Sequence, residues 1–436
     1  MLLPISNLTY ELDITGMGVK SPTKIGDSYK VWGPYGLAIN NNPASKGFGQ
    51  ILLAESYPTE SSDTKYISCK KNGAIYAFDV NFKPINAADG TPGFYGDVPN
   101  AGQLPLIISG SYKYDFKDLR FTEDGRLFVA RASGTTNSSV WEINPDDLNE
   151  PWKPVFKGGT LDEATGITYV GEQEQNRAAL SLAFEGKGAD LKMYVLGGQR
   201  SNGGNNATDY TCSVYNLGTA TEWTGAPSAV FEPLDGKYTY ASSYVGIHED
   251  GQGGLWYIQH VSSPSAEYPA LKHFNTEGGE DFNQSSTSRN GARIAITTDG
   301  KYIAIPNGSG SIVIYQTDYV PQENGRISLT PKVTVSVSET TISGLAFDYA
   351  NNLYVASPGS ETFSRYAIPS WNDNKCVTPA PAGFVVGAES GDQDAIINAN
   401  ANVNVNNGAI YNLSGQRVSK AQKGIYIQDG QKVAVK

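Results

Sequence analysis

Hydrophobic and polar positions along this chain repeat one short phrase. In its clearest copy, LRFTEDGRLFVARASGTTNSSVWEINP from Leu119 to Pro145, an apolar run is followed by the turn Asp124-Gly125. A second apolar run (Leu127–Ala130), a polar loop and a third run (Val140–Ile143) complete it. The pattern returns as ARIAITTDGKYIAIPNGSGSIVIYQTD from Ala292 and as SGLAFDYANNLYVASPGSETFSRYAIP from Ser343. Short runs bounded by Gly, Asn and Asp predict strands joined by tight turns.

Set by their turns, the units fall at Asn42, Asp124, Glu185, Asp250, Asp299 and Asn351. The last two intervals approach the roughly 40–50 residues of a bare four-stranded propeller blade, and the earlier ones carry insertions. The second runs, such as Ile51–Ala54, Leu255–Ile258 and Tyr302–Ile305, are continuously apolar, as strands covered on both faces should be. The third runs, such as Ala74–Phe78 and Leu271–Phe274, alternate more. Fourth strands are expected at Pro154–Phe156, Ala229–Phe231 and Val333–Val337. No useful helical period appears. The expectation is an all-β chain: a β-propeller of six four-stranded blades, with seven as the alternative, plus a small C-terminal β unit.

The boundaries that follow are 1–33 as an N-terminal closing or edge segment, 34–370 as the propeller, and 371–408 as a linker with a last outer strand. A small β module at 409–436 ends the chain. Its strands are expected at Ala409–Leu413, Gly424–Ile427 and Lys432–Val435.

The starts Gly36-Leu37-Ala38-Ile39 and Gly344-Leu345-Ala346-Phe347, each followed by a turn and an apolar strand, resemble NHL-type and gluconolactonase-like propellers. The resemblance covers about residues 34–370 and implies blades around a central channel, with each first strand innermost. The end of the chain has Ile410-Tyr411-Asn412-Leu413-Ser414-Gly415-Gln416-Arg417-Val418, then Lys423-Gly424-Ile425-Tyr426-Ile427. It resembles a shortened sorting domain of the type-nine secretion system. That likeness implies an extracytoplasmic protein, secreted or on the outer surface of a Gram-negative bacterium.

Composition narrows the partners. Among 436 residues the formal net charge is −11, which disfavours nucleic acid because that partner needs a concentrated basic surface. No apolar run approaches the ~20 residues of a membrane-spanning helix. Cys69, Cys212 and Cys376 lack metal-ligand spacing and read as small buried hydrophobes.

Long polar loops follow the second strands, and loops on a rigid scaffold concentrate function. The expected ligand-binding ring at that channel mouth is Tyr35, Glu55, Arg131, Arg200, Tyr244, His260 and Asn307. The lactonase likeness implies a divalent ion, and Glu55, Asp118 and Asn307 stand at the corresponding positions, with calcium as the alternative to no cofactor. Nucleophilic chemistry finds little: His248 reads as structural, His273 as distant from the channel, and Glu280-Asp281 as a solvated loop. The favoured function is a non-catalytic binding module for carbohydrate or a surface protein. A metal-dependent hydrolase of the lactonase kind and a structural spacer are the alternatives.

Overall fold

The computed structural model describes the chain chiefly over 34–55, 116–131, 139–145, 152–156, 177–199, 210–231, 245–259, 269–284, 293–337 and 342–366, with short breaks. It adds separate strands at 9–13, 74–78, 94–95, 160–174 and 410–435. Every named strand pairing is antiparallel, and the sheets stand in a ring as a β-propeller.

Sheet I runs outward from Pro34–Ile39 through Ile51–Glu55 and Ala74–Phe78 to Phe94–Tyr95. Sheet II follows with Phe116–Phe121, Leu127–Arg131, Val140–Ile143 and Lys153–Pro154. Sheet III has Arg177–Glu185, Lys192–Gln199, Tyr210–Tyr215 and Ala229–Phe231. Sheet IV has Val245–Glu249, Leu255–Gln259, Leu271–Phe274 and Glu280–Gln284. Sheet V has Ala295–Ile296, Tyr302–Pro306, Ser311–Asp318 and Ser328–Ser336. Sheet VI has Gly344–Phe347, Leu353–Ala356 and Thr362–Tyr366, and its outermost strand is Thr9–Asp13 from the start of the chain. In that pairing Thr9 stands opposite Tyr366 and Asp13 opposite Thr362.

The second strands make most of the core. Leu255–Gln259 and Tyr302–Pro306 are buried at every position, because neighbouring sheets cover both of their faces. Phe128, Val140, Leu182, Met193 and Tyr215 fill the space between sheets II and III. Trp256, Ile258 and Leu271 meet Ile294, Ile303 and Ile305 between sheets IV and V. At roughly 1.5–3 kcal/mol for each large side chain taken fully from water, such layers outweigh any single hydrogen bond in the ring.

Inner and second strands are joined by a recurring polar turn. The Thr122 hydroxyl donates to the Asp124 carboxylate at 2.6 Å and accepts the Arg126 N–H at 2.9 Å. The Thr297 hydroxyl likewise donates to Asp299 at 2.7 Å and accepts the Tyr302 N–H at 3.1 Å. Gly125 and Gly300 follow with φ of 88° and 72°, a region that costs glycine nothing. In sheet VI, Asn351 takes the same role at φ 63°, as Asn tolerates left-handed backbone better than most residues. There Asp348 accepts the Asn352 N–H at 2.9 Å.

Several expectations are corrected. The fourth strands of sheets II and V lie at Lys153–Pro154 and Ser328–Ser336, each starting before its expected position. Thr160–Asp162, Ile167–Val170 and Gln173–Glu174 form a separate three-stranded sheet that the repeat did not announce. The C-terminal residues form a four-stranded sheet of Ile410–Tyr411, Arg417–Val418, Gly424–Gln428 and Gln431–Val435. Arg417–Val418 is its additional strand. The linker 371–408 lies outside the described residues. Among the described residues, no helix is long and apolar enough to cross a membrane.

Candidate ligand-binding site

The inner strands converge on a buried ionic knot. Asp118 is 2% exposed and Arg293 4%. The Arg293 guanidinium donates to the carbonyls of Val245 at 2.6 Å, Lys117 at 2.5 Å and Leu180 at 2.9 Å. It therefore stitches sheet V to the inner strands of sheets II, III and IV. Its Nε stands 3.4 Å from Asp118 Oδ1, and Arg120 Nε stands 3.5 Å from Asp118 Oδ2. Asp118 also accepts the Ser181 hydroxyl at 2.7 Å and the amides of Leu119 and Leu182 at 3.0 Å. Burial pushes the Asp118 carboxyl up, but Arg293, Arg120, Ser181 and the Leu182 amide together outweigh it and hold its pKa below the ordinary value.

Register explains why this knot sits where it does. Asp118 pairs with Ala130, Ser181 with Leu196, Gly36 with Ala54 and Gly344 with Ala356. A Cβ on Gly36 would lie 3.1 Å from Leu119 N, and one on Gly344 would lie 2.8 Å from Leu37 Cβ. Sheets I and VI thus use glycine where sheets II and III place the polar knot.

Beyond the knot, on the side of the tight turns, a funnel of about 1440 Å³ opens around the axis. Leu37, Leu119, Ala295 and Leu345 line its apolar part, with Arg120 and His248 beside them. Its polar wall carries seven carboxylates, Glu123, Asp124, Glu185, Asp190, Glu249, Asp250 and Asp299, against the cations Arg120, Lys187 and Lys192. His248 Nδ1 lies 2.7 Å from the Glu249 carbonyl, so that nitrogen carries the hydrogen. Burial holds the His248 pKa below its ordinary value despite the raising effect of Glu249. Glu249 also accepts the Phe184 N–H at 3.3 Å, which ties sheet IV to sheet III.

Sequence reasoning aimed at the opposite mouth. Tyr35 lies on the inner strand of sheet I, Glu55 ends its second strand, and Arg131 ends the second strand of sheet II. Register pairs Pro34 with Glu55 and Phe116 with Arg131, so these three share one edge of adjacent sheets. Asn307 follows Tyr302–Pro306; its N–H donates to the Ser311 carbonyl at 3.0 Å, and its carbonyl accepts the Ser311 hydroxyl. Arg200, Tyr244 and His260 lie outside the described residues. Of the three residues considered for an ion, Asp118 is the one placed in the axial knot, with its oxygens committed to two guanidiniums, a hydroxyl and two amides. Among the described residues, no group of three or more His, Cys, Asp or Glu is arranged to hold a metal.

A further correction concerns sheet IV. Glu280-Asp281 belongs to its outer strand, not to a solvated loop. Asp281 is buried and takes His273 Nδ1 at 2.6 Å, while His273 Nε2 reaches Asp250 at 2.9 Å. The imidazole is packed on Trp256, with ring centroids 4.5 Å apart. His273 is structural, and its partner Asp250 faces the funnel.

No family model matches the chain, and neither does any curated protein. Solved structures similar to it include a chain in the crystal structure of the mitotic checkpoint complex, at 12% identity and a TM-score of 0.38. That match covers 82% of this chain and 92% of the other. A protein of unknown function from Bacteroides thetaiotaomicron matches at 11% identity with a TM-score of 0.41, covering 78% and 70% respectively.

Proposed function

We propose that this chain is an exported β-propeller that binds carbohydrate and performs no chemistry of its own. The funnel carries the reading. A concave wall of rigidly held oxygens around an apolar floor suits a polyhydroxylated ligand, whose hydroxyls donate and whose C–H faces prefer apolar contact. The acceptors are fixed by the turns that bear them, so little ordering cost falls on binding. Asp124 and Asp299 are each held by a threonine hydroxyl from the same turn. Export is inferred from the C-terminal likeness described above.

The test is a thermal-unfolding series with a panel of oligosaccharides and, separately, an assay for lactone hydrolysis. A ligand at 100 times its Kd stabilises the native state by about 2.7 kcal/mol, which a melting curve resolves. A melting point unmoved by every glycan, together with lactone turnover, refutes the binding reading in favour of an enzyme.

A further inference from the structure

We infer that the ligand of the turn-face funnel is a sugar bearing a protonated amine, bound with its ammonium among the rim carboxylates and its ring over the apolar floor. This rests on the binding-module reading and adds the charge of the ligand. The cavity is walled by the inner strands and the tight turns that follow them, with Arg120 and His248 beside its apolar part.

The charges of its wall do not cancel. Each lining cation is already spent. Lys187 is paired with Glu123 at 2.6 Å and Lys192 with Glu185 at 3.2 Å. Arg120 is turned to Asp118, at 3.5 Å, and to the Ile247 carbonyl, at 3.2 Å. On the acidic side, Asp124 is satisfied by neutral donors, the Thr122 hydroxyl and the Gly188 amide at 3.0 Å. Burial raises the Asp124 pKa, but those hydrogen bonds outweigh it and keep the group below its ordinary value, hence ionised. Glu249 takes the Phe184 amide and stands 3.4 Å from His248, whose proton burial disfavours. Negative charge thus remains inside a concavity with apolar walls, where field lines concentrate and solvent screens less.

A hydroxyl already gains a charge-assisted hydrogen bond from such a carboxylate. An ammonium gains that bond and, in addition, the Coulomb attraction of opposite charges, which a neutral donor lacks. The wall therefore discriminates between an amino sugar and its N-acetylated counterpart, which is matched in ring and hydroxyls but lacks the charge. A simple inorganic cation would find the carboxylates but leave the apolar floor uncovered.

The experiment is titration calorimetry on the full chain with a glucosamine hexamer, an N-acetylglucosamine hexamer and a lysine hexapeptide. Wild-type protein is compared with Glu249→Gln and Asp190→Asn. Both variants preserve shape, and circular dichroism checks that they fold. The expected result is binding of the glucosamine hexamer, at least tenfold weaker binding of the N-acetylated one, and a several-fold loss in each variant. Equal affinity for the two hexamers overturns the amine requirement and leaves carbohydrate binding standing. Binding of the peptide without the sugar overturns the sugar, and affinity unchanged in both variants overturns the funnel. No binding by any of the three overturns the inference outright, while the broader glycan panel separately decides whether the chain is a lectin-like module at all.

Discussion

Replacing Arg293 by Met should cost this propeller about 4 kcal/mol, because one side chain holds four sheets together at the axis. The substitution keeps the volume of the stem and removes the fork. Three backbone carbonyls, on Lys117, Leu180 and Val245, lose this donor, and among the described residues the Asp118 carboxylate keeps Arg120 as its cationic partner. Breaking a buried ion pair from one side typically costs about 3–5 kcal/mol, since the remaining charge stays buried. Any relaxation that admits water at the funnel floor reduces the figure. Against the roughly 5–15 kcal/mol that a domain possesses in total, the loss is easily measured by guanidinium unfolding.

The pH dependence makes the test sharper. In the wild type the folded-state pKa of Asp118 lies below its unfolded value. Its contribution to stability is therefore present above the ordinary carboxylate pKa and lost as pH falls through the folded value. Without Arg293 the largest of the lowering influences is lost and the folded pKa rises relative to wild type. The variant therefore loses less stability than wild type as pH falls through the carboxylate range. Arg293→Lys keeps the charge without the fork, so one nitrogen cannot serve three carbonyls; it should fall between the two. Unfolding midpoints at pH 4, 5.5 and 7 decide the matter. A Met variant that loses less than about 1 kcal/mol at neutral pH, or one whose pH slope matches wild type, refutes the axial-pin account.

Two further outcomes follow from buried charges elsewhere. Burial lifts the Asp348 pKa to about 6, against the opposing pull of Asn352, Arg365 and Tyr354. Folding therefore binds this proton, and stability should fall by roughly 3 kcal/mol as pH rises from below the ordinary carboxylate value to above the folded one. Asp348→Asn should flatten that slope in the same unfolding series, and an unchanged slope would assign it to another group. His273→Phe leaves Asp250 and Asp281 buried without their shared partner and should cost about 3–5 kcal/mol. The companion His273→Phe/Asp250→Asn/Asp281→Leu variant should recover part of it; no recovery would mean that ring packing on Trp256 dominates.

The strands were legible because their signal is local. Continuous apolar runs bounded by Asp-Gly, Asn-Asn and Gly-Gly state the second strands of the sheets almost residue by residue. Outer strands were placed less well, since Ser328–Ser336 contains Pro331 and Lys332, and its first half is polar. The structure gives that half a bulge between Ile314 and Tyr315 on its partner strand, which no periodicity announces. The three-stranded sheet at 160–174 escaped because Thr160–Asp162 and Gln173–Glu174 are two or three polar residues long.

The turn-face cavity was not legible in the sequence for a different reason. Loop length drew attention to the face with long insertions, whereas the described cavity lies among the short turns. A short turn looks like connective structure in sequence, and Asp124 and Asp299 do serve their turns by accepting from Thr122 and Thr297. Propeller symmetry then places those same carboxylates around one axis, so a residue type selected for turn geometry becomes a ring of charge. That ring is legible only once the register of the inner strands is known. The Thr-x-Asp-Gly phrase at Thr122 and Thr297 was the available signal: two copies of one acidic turn in a ring fold imply that their charges face a common axis. The same register explains Arg293. It precedes its inner strand at a position where other sheets carry Lys117 or Leu180, and in sequence it looks like a solvent-facing loop cation. Only closure of the ring brings it within reach of three other sheets, so its role is a property of the assembled propeller and not of its own repeat.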